Sequence, residues 1–90
     1  MLPLVWRPEA RADLLGILNY ISDRNLAAAD RLGALIEDAA ERIPSHPFMH
    51  RPGRAPGTRE AIVHPNYVVV YRVGEIIEVL AVLHARQQYP

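Results

Sequence analysis

The sequence predicts an α+β fold in which a helical hairpin packs on a curved antiparallel sheet, in the element order β-α-α-β-β-β. Two stretches with helical apolar spacing lie within residues 8–43, separated by the polar break Ser22-Asp23-Arg24-Asn25. A Pro- and Gly-rich stretch fills 44–57. From Thr58 onward the chain is rich in β-branched and aromatic residues, with turn signals at Pro65-Asn66 and Gly74-Glu75.

Residues 2–6 read as a short strand. Pro8 then opens a helix, where its missing N–H costs nothing, and Glu9 suits the positive end of the helix dipole. Ala10, Leu14, Ile17, Leu18 and Ile21 form the apolar stripe of this helix. In the second helix the stripe is Ala28, Leu32, Leu35, Ile36, Ala39 and Ile43, and Pro44 ends it. A short link between two such helices favours an antiparallel hairpin. Six Pro and Gly residues make 44–57 a loop without regular structure. Strands are expected at 58–64, 67–73 and 76–84, with Gly74-Glu75 as a two-residue type II′ turn. Those turns place Arg59, Val68, Val70 and Arg72 on one face with Ile77, Val79 and Ala81. Tyr67, Val69, Tyr71, Glu78, Leu80 and Val82 fall on the other face.

Ninety residues form one domain, 1–90, with a modest core. The chain has no cysteine, which excludes disulfides and thiolate metal sites. No apolar run approaches the roughly 18–20 residues that span a bilayer, and the opening apolar run is too short for a signal peptide. We expect a cytoplasmic protein without a membrane partner. The net formal charge is zero, yet all ten basic residues are arginine. They are unevenly placed: residues 44–72 contain four Arg and a single acid, Glu60. That middle stretch suits a phosphate-bearing or acidic partner, and equally a solvated loop.

Two groups of residues could carry chemistry. On the expected register Arg59 and Arg72 are cross-strand neighbours, and two adjacent guanidinium groups call for an anion between them, or for local carboxylate partners. With Arg51 and Arg54 they make up a candidate surface for a target or partner. Near the C-terminus His84, Arg86 and Tyr89 could supply a general acid/base, phosphate stabilisation and a phenol, the roles that metal-free RNA cleavage needs. A structural role for a strand-end histidine is the plainer alternative. His46 and His50 have helical metal-ligand spacing, but Pro47 lies between them, and no metal site is expected. The chain has no Gly-rich phosphate loop and no nucleophile elbow, so no cofactor is expected either.

Taken in order, Trp-Arg-Pro-Glu-Ala (6–10), Ser-His-Pro (45–47), Arg-Pro-Gly-Arg (51–54), Gly-Thr-Arg-Glu (57–60), His-Pro-Asn-Tyr-Val-Val-Val-Tyr-Arg-Val (64–73) and Val-Leu-His-Ala-Arg (82–86) resemble the RelE/ParE superfamily of type II toxins. The resemblance covers essentially the whole chain. It implies a growth-arresting toxin neutralised by a cognate antitoxin, whose C-terminal segment wraps the toxin in a hetero-oligomer. The superfamily divides by target. RelE-like members are ribosome-dependent mRNA interferases, whereas ParE-like members poison DNA gyrase and lack the ribonuclease residues.

The strand position that carries an essential arginine in the ribosome-dependent nucleases is Val68 here, and a valine cannot stabilise a phosphorane. The same alignment places Val68 on the open face of the sheet. The neutral net charge also departs from the basic character that ribosomal RNA binding demands. Tyr-Arg-Val-Gly (71–74) and Val-Leu-His (82–84) are more similar to the ParE branch. Gyrase is therefore the favoured target. The alternatives are an mRNA interferase using His84, Arg86 and Tyr89, and an inactive relative that only binds an antitoxin.

Overall fold

The computed structural model describes residues 1–89. Strand β1 (Leu4–Trp6) leads into α1 (Pro8–Ser22) and α2 (Leu26–Arg42). A 3-10 turn (Ile43–Ser45), a short β2 (Arg51–Pro52) and the strands β3 (Arg59–His64), β4 (Tyr67–Val73) and β5 (Ile77–His84) follow. The sheet order is β1-β5-β4-β3-β2. All neighbours are antiparallel except β1, which runs parallel to β5, so the sheet is mixed rather than purely antiparallel.

The helix termini follow their local chemistry. Pro8 occupies the first turn of α1 with Glu9 beside it. Asn25 caps α2, its side-chain oxygen accepting the Ala28 N–H at 3.0 Å. The Arg24 guanidinium donates to the Tyr20 carbonyl at the C-terminal end of α1, at 2.9 Å. The helices approach closely at Gly33, where a Cβ would stand 3.1 Å from Leu18 Cδ1.

One face of the sheet is sealed by the hairpin. Ala10 and Leu14 from α1 and Ile36 and Ala40 from α2 pack with Ile43 on Ala61, Val69, Tyr71, Ile77, Val79 and Val82. The expected stripe of α1 holds. That of α2 is rotated: Ala29, Gly33, Ile36 and Ala40 are its buried residues, while Leu35 is exposed. Small residues there let the helix axes come close, and the leucine is left on the outside.

The expected strand faces are corrected in three places. Residues 74–76 make the β4–β5 connection one residue longer than expected, so that Val73 pairs with Ile77 and Arg72 with Glu78. Leu80 is then an extra residue on β5, because Tyr71 pairs with Val79 but Val70 with Ala81. Val63 is likewise extra on β3, between Ile62↔Val68 and His64↔Tyr67. Each irregularity exchanges faces over part of a strand. Ile77 and Val79 thereby join Tyr71 in the core. Arg59 falls opposite Tyr71 on the helix side, and Arg72 shares the open face with Glu78; Arg59 and Arg72 are not cross-strand neighbours.

The proline-rich loop is also more ordered than expected. Arg51–Pro52 pairs with Arg59 and Glu60, making a fifth strand. The connection back to β3 is tight, with the Gly53 N–H donating to the Thr58 carbonyl at 2.7 Å. A Cβ on Gly53 would lie 2.1 Å from Thr58 Oγ1, and Gly57 has φ +79°. Both glycines are required by this turn.

The helix register is tested by neighbouring leucines. Leu14 is buried and Leu15 is 61% exposed. Leu14→Ala should destabilise the protein by about 2–4 kcal/mol in urea unfolding, and Leu15→Ala by no more than about 0.5 kcal/mol. Equal effects would mean that α1 packs through a different face.

Candidate functional site

The sheet face away from the helices carries a small apolar cluster of Val68, Val70 and Leu83, onto which Leu80, Ala81, Ala85 and Tyr89 pack. Beside it lies Glu60, only 2% exposed. The β2–β3 register sets Arg51 directly across from it. A carboxylate so deeply buried needs a full set of donors. Oε1 accepts from Arg51 Nη2 at 2.8 Å and from Arg51 Nε at 3.2 Å. Oε2 accepts the backbone N–H of Arg54 at 3.1 Å and a short hydrogen bond from the Tyr89 hydroxyl. Arg54 Nε stands 3.4 Å from the same oxygen. The Arg54 guanidinium lies 4.5 Å from the Tyr89 ring centre, and its Nη1 donates to the Gln87 carbonyl at 2.9 Å.

This arrangement fixes the protonation states. Burial alone would raise the Glu60 carboxyl; hydrogen bonds from Tyr89, from the Arg54 backbone and from Arg51 outweigh it and hold the group below the usual carboxylate range. The Tyr89 hydroxyl is pushed up to about 12 by burial and by its bond to the Glu60 carboxylate.

A second ion-pair group sits on the same face towards β1. Glu78 receives Arg72 Nη2 at 2.8 Å and Arg7 Nη1 at 3.3 Å. The hydrogen bond from Arg72 is the main reason that its carboxyl is held below the usual range. Arg72 thus has the local carboxylate partner that the sequence allowed as the alternative to an anion.

Arg59 serves a different purpose. On the helix side its Nη1 donates to the carbonyls of His50, at 2.8 Å, and Phe48, at 3.2 Å. The Tyr71 hydroxyl donates to the Pro47 carbonyl at 2.6 Å. Together they brace the loop that presents the exposed Phe48 and Met49. His50 packs edge-on against Tyr71, its ring centre 5.9 Å away, and burial, aided by Arg59, lowers its pKa and favours the neutral imidazole.

The C-terminal residues are dispersed. His84 pairs with Tyr67 across β4–β5 and packs edge-on against its ring at 5.5 Å. It lines a cleft of about 510 Å3 on the helix side, with Asp13, Tyr20, Tyr67 and Val82. Its Nδ1 accepts the Arg86 N–H at 3.1 Å. The Arg86 side chain is exposed, and Tyr89 lies across the open face on Glu60. His84 and Tyr89 therefore occupy opposite faces of the sheet.

Sequence reasoning did not identify Glu60 as the centre of the open face, although its position as the lone acid among four arginines in 44–72 was a usable signal. It also passed over Asp13. Among the described residues the outer edge of β5 has no strand partner beyond Val79, and Asp13 Oδ2 accepts the Val82 N–H there at 3.1 Å. Among the described residues no three His, Cys, Asp or Glu side chains are grouped as metal ligands. No helix among them is long and apolar enough to cross a membrane.

The Glu60–Tyr89 pair has a pH window. The lowered Glu60 carboxyl contributes stability in full above the ordinary carboxylate pKa, and this is lost as pH falls through the lowered value. The raised Tyr89 contributes below the ordinary tyrosine value of about 10, and this is lost as pH rises through about 12. In an alkaline absorbance titration Tyr89 should titrate near 12 and Tyr71, raised by burial, also above the ordinary tyrosine value, so Tyr89→Phe should take one tyrosine out of the late-titrating absorbance and leave that of Tyr71. A wild-type titration complete by pH ~11 would contradict the buried pair.

Comparison with known proteins agrees with this architecture. A model of the family described as the ParE toxin of the type II toxin–antitoxin system parDE matches residues 4–89. Y4kP of Sinorhizobium fredii is 36% identical over 86 residues, covering 94% of this chain and 90% of that protein. Toxin RelE2 of Caulobacter vibrioides is 33% identical over 86 residues, covering 94% and 97%. Among solved structures, the chromosomal ParDE toxin–antitoxin system from P. aeruginosa superposes with a TM-score of 0.84 at 22% identity, covering 93% of this chain and 96% of that one. A conserved hypothetical protein of Helicobacter pylori gives a TM-score of 0.61 at 16% identity, covering 99% and 100%. The chain is a type II toxin–antitoxin toxin of the RelE/ParE superfamily and belongs to its ParE toxin family.

Proposed function

We propose that this toxin arrests growth by poisoning DNA gyrase, without cutting RNA, and that a cognate antitoxin neutralises it by laying a segment on the open face. The observation that carries this reading is the separation of His84 from Tyr89. A nuclease that uses an imidazole and a phenol needs both within hydrogen-bond reach of one scissile phosphate. Here the imidazole lies among Tyr67 and α1 residues on the helix side, and the phenol hydroxyl is committed to Glu60 on the other. At the Val68 position there is an apolar side chain, 1% exposed beneath the C-terminal segment. Neither arrangement favours stabilising a pentacoordinate phosphate.

The antitoxin part of the proposal rests on the open face itself. Val68, Val70 and Leu83 offer apolar contact, while Arg51 and Arg54 on one side and Arg7 and Arg72 on the other keep outward guanidinium surface. An extended segment with apolar and acidic residues fits that pattern. The P. aeruginosa relative was solved as a ParDE system, which is consistent with such a complex.

The RelE2 relative keeps a second reading in view, ribosome-dependent cleavage of mRNA. The deciding experiment incubates purified, antitoxin-free protein with gyrase, supercoiled plasmid and ATP, and scores linear DNA after denaturation. Toxin-dependent linear DNA is expected. Intact plasmid, together with codon-positioned cuts in ribosome-bound mRNA, would overturn the gyrase reading. Continued growth on induction without the antitoxin would leave only an antitoxin-binding role.

A further inference from the structure

His46 and His50 stand four residues apart, and Pro47 rules out the helix that would bring their rings to one face. The fold brings them together by another route. After the 3-10 turn Ile43–Ser45, the Met49 N–H donates to the His46 carbonyl at 3.2 Å, which closes a tight turn over Pro47 and Phe48. Both imidazoles then line one cavity of about 270 Å3 together with Arg42, from the last turn of α2. Met49, Ala61 and Val63 supply apolar wall. The cavity lies against β3 past the point where β2 stops, since β2 pairs with Arg59 and Glu60 alone among the described residues. It shares no residue with the Glu60 group on the open face.

One guanidinium and two imidazoles line this cavity, and no carboxylate does. Among the described residues Arg42 makes no ion pair, so its N–H donors are uncommitted. A neutral imidazole still donates one N–H, and the charge of Arg59 adds to the positive field at His50. The loop is set before any ligand arrives: Arg59 Nη1 holds the His50 and Phe48 carbonyls, and the Tyr71 hydroxyl holds that of Pro47. Two imidazoles fall short of a metal ligand set, and a guanidinium beside them repels a cation. The same three groups suit an oxyanion. We propose that this cavity binds a phosphate monoester: Arg42, His46 and His50 donate to the phosphoryl oxygens, and the apolar body of the ester packs on Met49, Ala61 and Val63. The site is separate from the open face, and its occupation requires neither gyrase nor an antitoxin.

The test titrates the full-length, antitoxin-free protein with phenyl phosphate and follows the histidine ring resonances by NMR. The variants are Arg42→Ala, His46→Ala and, as a control, Arg31→Ala, whose arginine lies on α2 beside a different cleft. All three side chains are exposed, so the fold should persist. Phenyl phosphate should shift the His46 and His50 rings saturably, with a Kd of about 1 mM. Inorganic phosphate should bind about tenfold more weakly, because it buries nothing on the apolar wall. Loss of a hydrogen bond to a charged group should weaken phenyl phosphate about tenfold in Arg42→Ala, and Arg31→Ala should leave the affinity unchanged. His46→Ala should weaken it in the same direction, read at His50, and decides the matter if Arg42→Ala does not fold. The absence of a saturable shift up to roughly 10 mM would overturn the proposal. So would an equal loss in Arg31→Ala, which means diffuse attraction to arginines, or equal affinity for inorganic phosphate, which removes the apolar wall. Zinc ions that shift both rings where phenyl phosphate shifts neither would overturn it in favour of a metal site.

Discussion

A hairpin of two helices can cover only one face of a five-stranded sheet, and this limit shapes the rest of the molecule. Val69, Tyr71, Ile77, Val79 and Val82 are sealed beneath α1 and α2. Strand alternation sends Val68, Val70 and Leu83 the other way, where no helix is available. Among the described residues the segment after β5 covers them. It packs Ala85 and Tyr89 on them, but a segment without strand pairing needs an anchor. Glu60 provides that anchor at the cost of desolvating a carboxylate, which Arg51, Arg54 and Tyr89 offset by supplying donors to both its oxygens.

The broad architecture was legible in the sequence because it rests on periodicity and punctuation. The α1 stripe, the β4 boundaries Tyr67–Val73 and the hairpin break were all encoded locally. Strand faces were not, because they depend on single-residue insertions in the ladder. Val63 and Leu80 are such insertions, and neither is marked by glycine or proline. Each is set by what must be buried: without the Leu80 irregularity and the longer 74–76 connection, Ile77 and Val79 would face away from the helices. Propensity does not encode that choice; the competition between two apolar faces for one helical cover does.

The site residues divide along the same line. Arg51, Arg54 and Tyr89 were recognisable as types, but their meeting at Glu60 depends on the β2–β3 pairing, which a stretch rich in Pro and Gly concealed. Arg59 was grouped with Arg72 by an uninterrupted register. The Val63 irregularity turns it to the helix side, where a guanidinium serves better as a brace for loop carbonyls than as an anion ligand. His84 and Tyr89, close in sequence, are separated because a strand ends between them and the tail crosses to the other face.

Charge on the open face follows a common plan at both ends. Glu60 is shared by Arg51 and Arg54, and Glu78 by Arg72 and Arg7. The Glu60 group carries one surplus positive charge, whereas in the other Arg7 also stands 3.8 Å from Glu9, so that its charges balance. A guanidinium has five N–H donors, and a single carboxylate does not engage them all. Arg51 and Arg72 keep about half of their side-chain surface exposed while paired, at 52% and 50%. The carboxylates therefore act less as neutralisers than as splints, holding the guanidinium planes in place on either side of the apolar patch. A partner segment that brings acidic groups would then meet donors already oriented, and would lose less conformational entropy in binding them than it would to free arginines.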